Sequence, residues 1–288
     1  MCGFQTYFEP SVKSRPLPLP RPDDVFANMA DGAYFTSLDL KDAYTQLALH
    51  PDSQELCVIN THKGLFMYTR LIYGVASAAG IFQSVMDRIL FGLKGVTCYL
   101  DNILIKGSSL SECVSRTMLV LGRLDKFNVR LREDKCDWFV KQLEYLGFVI
   151  SSEGRRPSPS LFSDIISKPA PINASQVSTF LGIINFYSEF LPMFSTVAKP
   201  LRNLTHDGVP IEWTEQCQKS FDQCKQLLTS NQLIKHYDPS KPIVVTCDAS
   251  PVGVGAVLNH QVTVNGKVVE KPVMYASATL SPTQQNYA

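Results

Sequence analysis

Residues Val96–Gly107 read VTCYLDNILIKG, and the fold turns on how this stretch is understood. Two strand-like runs flank Tyr99-Leu100-Asp101-Asn102, which predicts a hairpin with an aspartate at its tip. One carboxylate there is ordinary turn chemistry, whereas two in succession would suit a hard cation. Asn102 occupies the second position. The stretch therefore reads as a metal site short of one charge, or as a polar turn that never bound metal.

A possible partner lies upstream, where Asp39 closes the strand-like run Phe35–Leu40, FTSLDL. Two aspartates meeting at the ends of buried antiparallel strands repel unless cations lie between them. Mg2+ takes hard oxygen ligands, keeps waters and uses one or two carboxylates together with substrate phosphates. That combination points to two-metal phosphoryl transfer. On spacing alone the plainer reading, with Asp39 capping a following helix and Asp101 making a turn, is the commoner one.

Bulk properties set limits. The chain has 288 residues, 45% of them hydrophobic, which is enough for more than one domain. Its formal net charge of +1 gives no general argument for a polyanionic partner. Charge is uneven, however: from Lys106 to Lys141 there are eight Lys/Arg against five Asp/Glu, a modest basic stripe. The eight cysteines form no CxxC pair or zinc-type Cys/His cluster, and Cys98 and Cys247 are expected to be buried, reduced thiols. Neither a signal peptide nor a bilayer-length apolar run is evident, so a soluble intracellular protein with no membrane partner is expected.

Along the chain, the proline-rich lead-in ending SRPLPLPRPDD predicts extended backbone. A strand over AYFTSLDL and a helix or turn over KDAYTQLAL follow. Next come a hairpin bending at Lys63-Gly64 and a helix with Ile81, Met86, Ile89 and Leu90 on one side. After the Val96–Gly107 hairpin, Ser109 and Glu112 predict a capping box for a helix turning Val114, Leu121, Leu124 and Phe127 inward, with Asn128 as a left-handed stop. LEYLGFVIS reads as another strand. This order is a mixed α+β domain with an antiparallel sheet. From SEGRRPSPS the texture becomes helical, with Asn173 and Gln176 capping a helix that buries Val177, Phe180, Leu181, Ile184, Tyr187 and Leu191. Strands return near Lys241 as PIVVTCDAS, VGAVLNH and KPVMYASATLS. Three such strands without covering helices would leave an apolar face unburied.

LDLKDAYTQL, FQSVMDRIL, YLDNILI, LEYLGFVIS, FLGIINFYSEFL and WTEQCQKSFDQCKQLLTS occur in the order found in gypsy-type retrotransposon polyproteins. The chain resembles the reverse transcriptase of such an element followed by the start of its ribonuclease H domain, over nearly its whole length. The resemblance implies a right-hand polymerase: partial fingers and lead-in at 1–33, palm with a fingers portion at 34–156, thumb and connection at 157–236, and a truncated ribonuclease H-like α/β domain at 237–288. It implies catalytic and metal-binding roles for Asp39 and Asp101, with Asn102 a degenerate ligand. Nucleotide contacts are implied at Leu40, Tyr44 and Gln83, and a primer grip at Tyr145, Leu146 and Gly147. Asp248 matches the first ribonuclease H carboxylate, and the implied cofactor is a pair of Mg2+ ions. The implied partners are an RNA or DNA template with its primer, and deoxynucleoside triphosphates; the basic residues from Arg116 to Lys135 would follow the duplex backbone.

Departures from the family pattern bear on activity. Asn102 removes a negative charge, so weakened metal binding and impaired polymerisation are expected. MCGF corresponds to a point inside the fingers, so upstream strands and their triphosphate-binding basic residues are expected to be missing. Ile72 and Ala79 stand where prolines are usual. The other ribonuclease H carboxylates would lie beyond Ala288, so no ribonuclease H activity is expected. A polymerase by descent is the leading reading, with a non-catalytic nucleic-acid-binding remnant as the alternative.

Overall fold

The computed structural model describes residues 19–205, 212–230, 233–264 and 266–286. The chain forms two compact units, Met1–Leu143 and Glu144–Ala288. The division falls inside the stretch read from the sequence as a single palm domain.

In the first unit the order is α1 (Pro22–Met29), β1 (Tyr34–Asp39), a 3-10 turn (Ala43–Gln46), α2 (Pro51–Gln54), β2 (Val58–Thr61), β3 (Gly64–Met67), α3 (Ala78–Leu90), β4 (Val96–Tyr99), β5 (Asn102–Gly107), α4 (Leu110–Lys126), a 3-10 turn (Glu133–Lys135) and β6 (Asp137–Val140). Most of the proline-rich lead-in lies outside the described residues, but its end corrects the expectation of extended backbone. Pro22 occupies the first helical turn of α1, where its missing N–H costs nothing, and Asp23 and Asp24 complement the positive helix end.

The strands β4-β5-β1-β6 form one antiparallel sheet. β1 pairs with β5 from Tyr34 opposite Gly107 to Asp39 opposite Asn102. The middle of both strands is apolar, and Leu38, Ile103 and Ile105 pack with Phe82, Val85, Met86 and Ile89 of α3 and Val120 and Leu124 of α4. The buried stripe of α4 is Cys113, Thr117, Val120 and Leu124. Val114 and Phe127, expected inward, are exposed. The reason is proximity: a Cβ at Gly107 would meet the Cys113 backbone nitrogen at 2.4 Å, so small residues must face the sheet. Thr117 Oγ1 donates to Thr36 Oγ1 at 3.3 Å within this tight contact. The capping box also differs. Ser109 Oγ accepts from the Glu112 N–H, but the Glu112 carboxylate accepts from the N–H and hydroxyl of Ser108.

The second unit opens on a three-stranded sheet of β7 (Gln142–Tyr145), whose first two residues precede the division, β8 (Phe148–Ser151) and β9 (Gly154–Pro157). The single strand expected over LEYLGFVIS is thus a hairpin, broken where Leu146 and Gly147 both take positive φ, 48° and 82°. Helices α5 (Pro159–Ile166), α6 (Ala174–Phe186), α7 (Phe194–Asn203) and α8 (Glu215–Thr229) follow, with a 3-10 turn at Ser188–Phe190. The predicted apolar face of α6 is buried as read, including Tyr187 and Leu191 beyond its end.

The last elements are β10 (Ile243–Ser250), β11 (Gly253–Val264), β12 (Lys267–Thr279) and α9 (Pro282–Gln285). One face of this antiparallel sheet lies against α7. Gly255 admits Met193, whose sulfur would sit 2.5 Å from a Cβ there, and Ser277 Oγ accepts from the Ser195 N–H at 3.0 Å. The opposite face carries Ile243, Val245, Cys247 and Ala249 of β10 in register with Val254, Ala256 and Leu258 of β11, and then Met274, Ala276 and Ala278 of β12. Most of these are exposed, Val245 at 59% and Met274 at 44%. Cys247 is therefore not the buried thiol expected, although Cys98 is. Replacing Val245 and Met274 together by lysine should reduce binding of a hydrophobic dye while changing stability by no more than about 0.5 kcal/mol per site. A large fall in melting temperature would show that the face is in fact packed.

Candidate active site at the β4–β5 hairpin

The hairpin tip is a two-residue turn. Tyr99 pairs with Asn102, leaving Leu100 and Asp101 between them. Leu100 has φ of 55°, a region normally left to glycine or asparagine because a side chain crowds the backbone there. Gln83 of α3 holds it. Its side-chain oxygen accepts from the Leu100 N–H at 2.9 Å, and its side-chain nitrogen donates to the Cys98 carbonyl at 2.8 Å and to Asp87 Oδ1 at 2.9 Å. Gln83 is 1% exposed. Gln83, expected at the nucleotide, has its amide engaged here in bracing the turn that presents Asp101.

Asp39 and Asn102 face each other across β1 and β5, and the Leu40 N–H donates to the Asp101 carbonyl at 2.9 Å. The side chain of Leu40 is in the core, so only its backbone lies at the site. Behind Asp39, its carbonyl accepts from the Arg132 N–H at 2.8 Å and its N–H donates to Cys136 Sγ at 3.4 Å. The Asp39 carboxyl is pushed above the usual aspartate range, first by partial burial and then by the negative charge of Asp101; Lys135 and Arg132 pull the other way. Asp101 thus supplies the repulsion foreseen from sequence.

The same charge reaches two aromatic rings. Tyr44, in the Ala43–Gln46 turn, and Tyr73 are 4.7 Å apart between ring centroids, and Tyr44 rests 5.4 Å from Phe82. Burial and then Asp101 raise the pKa of both hydroxyls. Tyr44 is half-buried beside the hairpin, its ring packed against the core. Tyr73, 59% exposed, was missed from sequence, because a tyrosine in a loop of the LIYGVASAAG type carries no periodic signal. The site so far is an aromatic pair, one ring exposed and one half-buried, beside two aspartates.

Among the described residues, no three His, Cys, Asp or Glu side chains gather closely enough to hold a metal by themselves. The oxygen donors at the hairpin are two carboxylates and the neutral amide of Asn102. This set fits Mg2+ that keeps waters and completes its shell with substrate phosphates, rather than a closed protein cage. Part of the basic stripe is committed elsewhere: Arg116 bonds the Lys106 carbonyl and Glu112, and Arg123 bonds the Ile89 carbonyl. In the second unit, Leu146 is exposed at its turn and Tyr145 is buried, with the Gly147 carbonyl accepting from the Ser158 N–H at 2.9 Å. Asp248 is exposed on β10, its carboxylate accepting from the Ala249 N–H.

The family profile described as reverse transcriptase (RNA-dependent DNA polymerase) matches residues 4–150. The chain belongs to the reverse transcriptase family. Residues 213–288 match the RNase H-like domain found in reverse transcriptases. The Tf2-7 and Tf2-3 transposon polyproteins of Schizosaccharomyces pombe are each 33% identical to it over 279 residues, covering 96% of this chain and 21% of theirs. The chain therefore spans about a fifth of the length of these curated relatives. A foamy viral protease–reverse transcriptase solved with double-stranded DNA superposes with a TM-score of 0.85 at 22% identity, over 96% of this chain and 48% of that one. A foamy viral protease–reverse transcriptase solved with an RNA/DNA hybrid gives 0.80 at 22% identity, over 94% and 37%. These likenesses show a shared mixed helix-and-strand fold. Among the described residues of this family member, no helix is long and apolar enough to cross a membrane.

Two outcomes follow from the geometry. Gln83→Met should destabilise the first unit by about 1–3 kcal/mol in urea unfolding, since it leaves a buried N–H and carbonyl unpaired. Asp39→Asn should raise the melting temperature at pH 7 in the presence of a chelator. A carboxyl with raised pKa contributes stability that is lost as pH rises through that value, so the gain from Asn should shrink toward zero below about pH 4. A constant gain across pH would place its origin outside titration.

Proposed function

We propose that the β4–β5 hairpin is the catalytic site of an RNA-directed DNA polymerase, weakened at Asn102. The convergence of Asp39, Asp101, Tyr44 and Tyr73 on one point carries this reading. Bound Mg2+ ions would supply the positive charge that activates a primer hydroxyl and steadies the leaving phosphate oxygen. Asp39 and Asp101 would hold them, while Asn102 offers an oxygen without a charge. Tyr44, backed by Phe82, would support the sugar of an incoming nucleotide, and Tyr73 would widen the same aromatic platform. Gln83 keeps the turn in its strained shape. Tyr145, Leu146 and Gly147 are assigned to holding the primer end, on a hairpin whose two positive-φ residues make a compact tip. The nucleic acids bound to the foamy viral relatives support a primer-template partner. The division into fingers, palm, thumb and connection, and ribonuclease H-like parts belongs to the same proposal. Asp248, with no trio of metal-ligating side chains about it among the described residues, would not by itself sustain ribonuclease H cleavage.

The second reading, a nucleic-acid-binding remnant without chemistry, is favoured by Asn102 alone, because that one neutral side chain replaces a charge beside two metal ligands. Primer extension on an RNA template with limiting Mg2+ separates the two. Asn102→Asp should increase the rate on the order of tenfold or more, and Asp101→Asn should abolish it. Binding of primer-template without extension by either the unmodified chain or Asn102→Asp would favour the remnant.

A further inference from the structure

Gln46 has no part in the reading above, yet it joins separate segments at the site, two through its side-chain amide and a third through its backbone carbonyl. Its side-chain oxygen accepts from the Arg130 N–H at 2.7 Å, and its side-chain nitrogen donates to the Arg130 carbonyl at 3.0 Å. The amide thus pairs with Arg130 as a strand backbone would. The same nitrogen donates to the Lys41 carbonyl, closing the turn from Lys41 to Gln46 that carries Tyr44. The backbone carbonyl of Gln46 accepts from Arg70 Nη1 at 3.0 Å, and Arg70 lies three residues before Tyr73.

The segment around Arg130 is itself the backing of β1. The Lys41 N–H donates to the Arg130 carbonyl at 3.0 Å, Leu40 bridges Leu131, and the Arg132 N–H bonds the Asp39 carbonyl. Asp42 has φ of 47°, so the turn leaves β1 through a left-handed residue and lacks a regular ladder to hold it. Gln46 supplies the missing pairing. One residue therefore relates all three: its side chain ties the Tyr44 turn to the segment backing the carboxylate strand, and its backbone carbonyl meets the segment leading to Tyr73.

We propose that Gln46 is a positioning residue for sugar recognition: by clamping the Lys41–Gln46 turn to Arg130 it sets the height of the Tyr44–Tyr73 pair above Asp101. This rests on the polymerase reading, because it assigns the ring pair to the nucleotide sugar. Loss of the clamp leaves the core intact and lets the rings move, so it alters which nucleotide is accepted more than how primer-template is held.

The test compares the unmodified chain with Gln46→Met and Gln46→Ala, each bound to a dideoxy-terminated primer-template and challenged with the next deoxy- or ribonucleoside triphosphate. Stabilisation of the complex reads nucleotide binding without turnover, and amide hydrogen exchange reads the clamp. Both variants should exchange residues 41–47 and 128–132 faster and lose about tenfold in preference for the deoxy form, with primer-template affinity unchanged. Faster exchange with unchanged preference overturns the proposal, as does unchanged exchange. A parallel fall in preference, primer-template affinity and melting temperature would make Gln46 merely structural and also overturn it. If the unmodified chain is stabilised by neither nucleotide, the polymerase reading fails first, and the proposal falls with it.

Discussion

The register of β1 against β5 is the constraint on which the site depends. A sheet has a side-chain period of two, so a slip of one residue would turn Asp39 to the opposite face and part it from the hairpin tip. Buried Leu38, Ile103 and Ile105 prevent that slip, because each would have to leave the α3 and α4 side of the sheet. The apolar middle of the sheet thus fixes where two mutually repelling carboxylates end up. Stability and chemistry draw on the same strands with opposite preferences: the core draws them together, and the charges at their ends push them apart.

Around that register the structure adds bracing made of side-chain amides. Gln83 satisfies both sides of a strained turn from within a helix, and Gln46 imitates a strand where β1 has turned away. Both are neutral, and each offers a donor and an acceptor together, which suits them to exposed backbone edges near charged groups. A carboxylate at Gln83 would add negative charge to the turn that carries Asp101.

Much of this was legible in the chain itself. The hairpin, β1 and the helix at Ala174–Phe186 follow from alternation, turn chemistry and an apolar face of helical period. Other features were not legible for identifiable reasons. The bracing role of Gln83 is hidden because a glutamine carries no apolar signal, although its spacing of three and seven from Met86 and Leu90 places it on the buried stripe. The α4 face was read rightly at Leu121 and Leu124 but wrongly at its ends, since hydrophobicity favours Val114 and Phe127 while the close approach at Gly107 selects Cys113 and Thr117. Tyr73 lies in a loop, where pattern carries no information and only the fold brings it beside Tyr44. The LEYLGFVIS stretch hides its turn because Leu146 is not a turn former by composition.

The bare face of the β10–β12 sheet has a consequence for the colloidal behaviour of the chain. Attraction between such faces is opposed in solution mainly by net charge, and the whole chain carries only +1. Two molecules that meet face to face therefore feel almost no long-range repulsion, and added salt has little to screen. Any opposition to that approach is local, from charges at the sheet margins such as Lys267 and Lys271, since Lys241 is already paired with Asp238 at 2.9 Å.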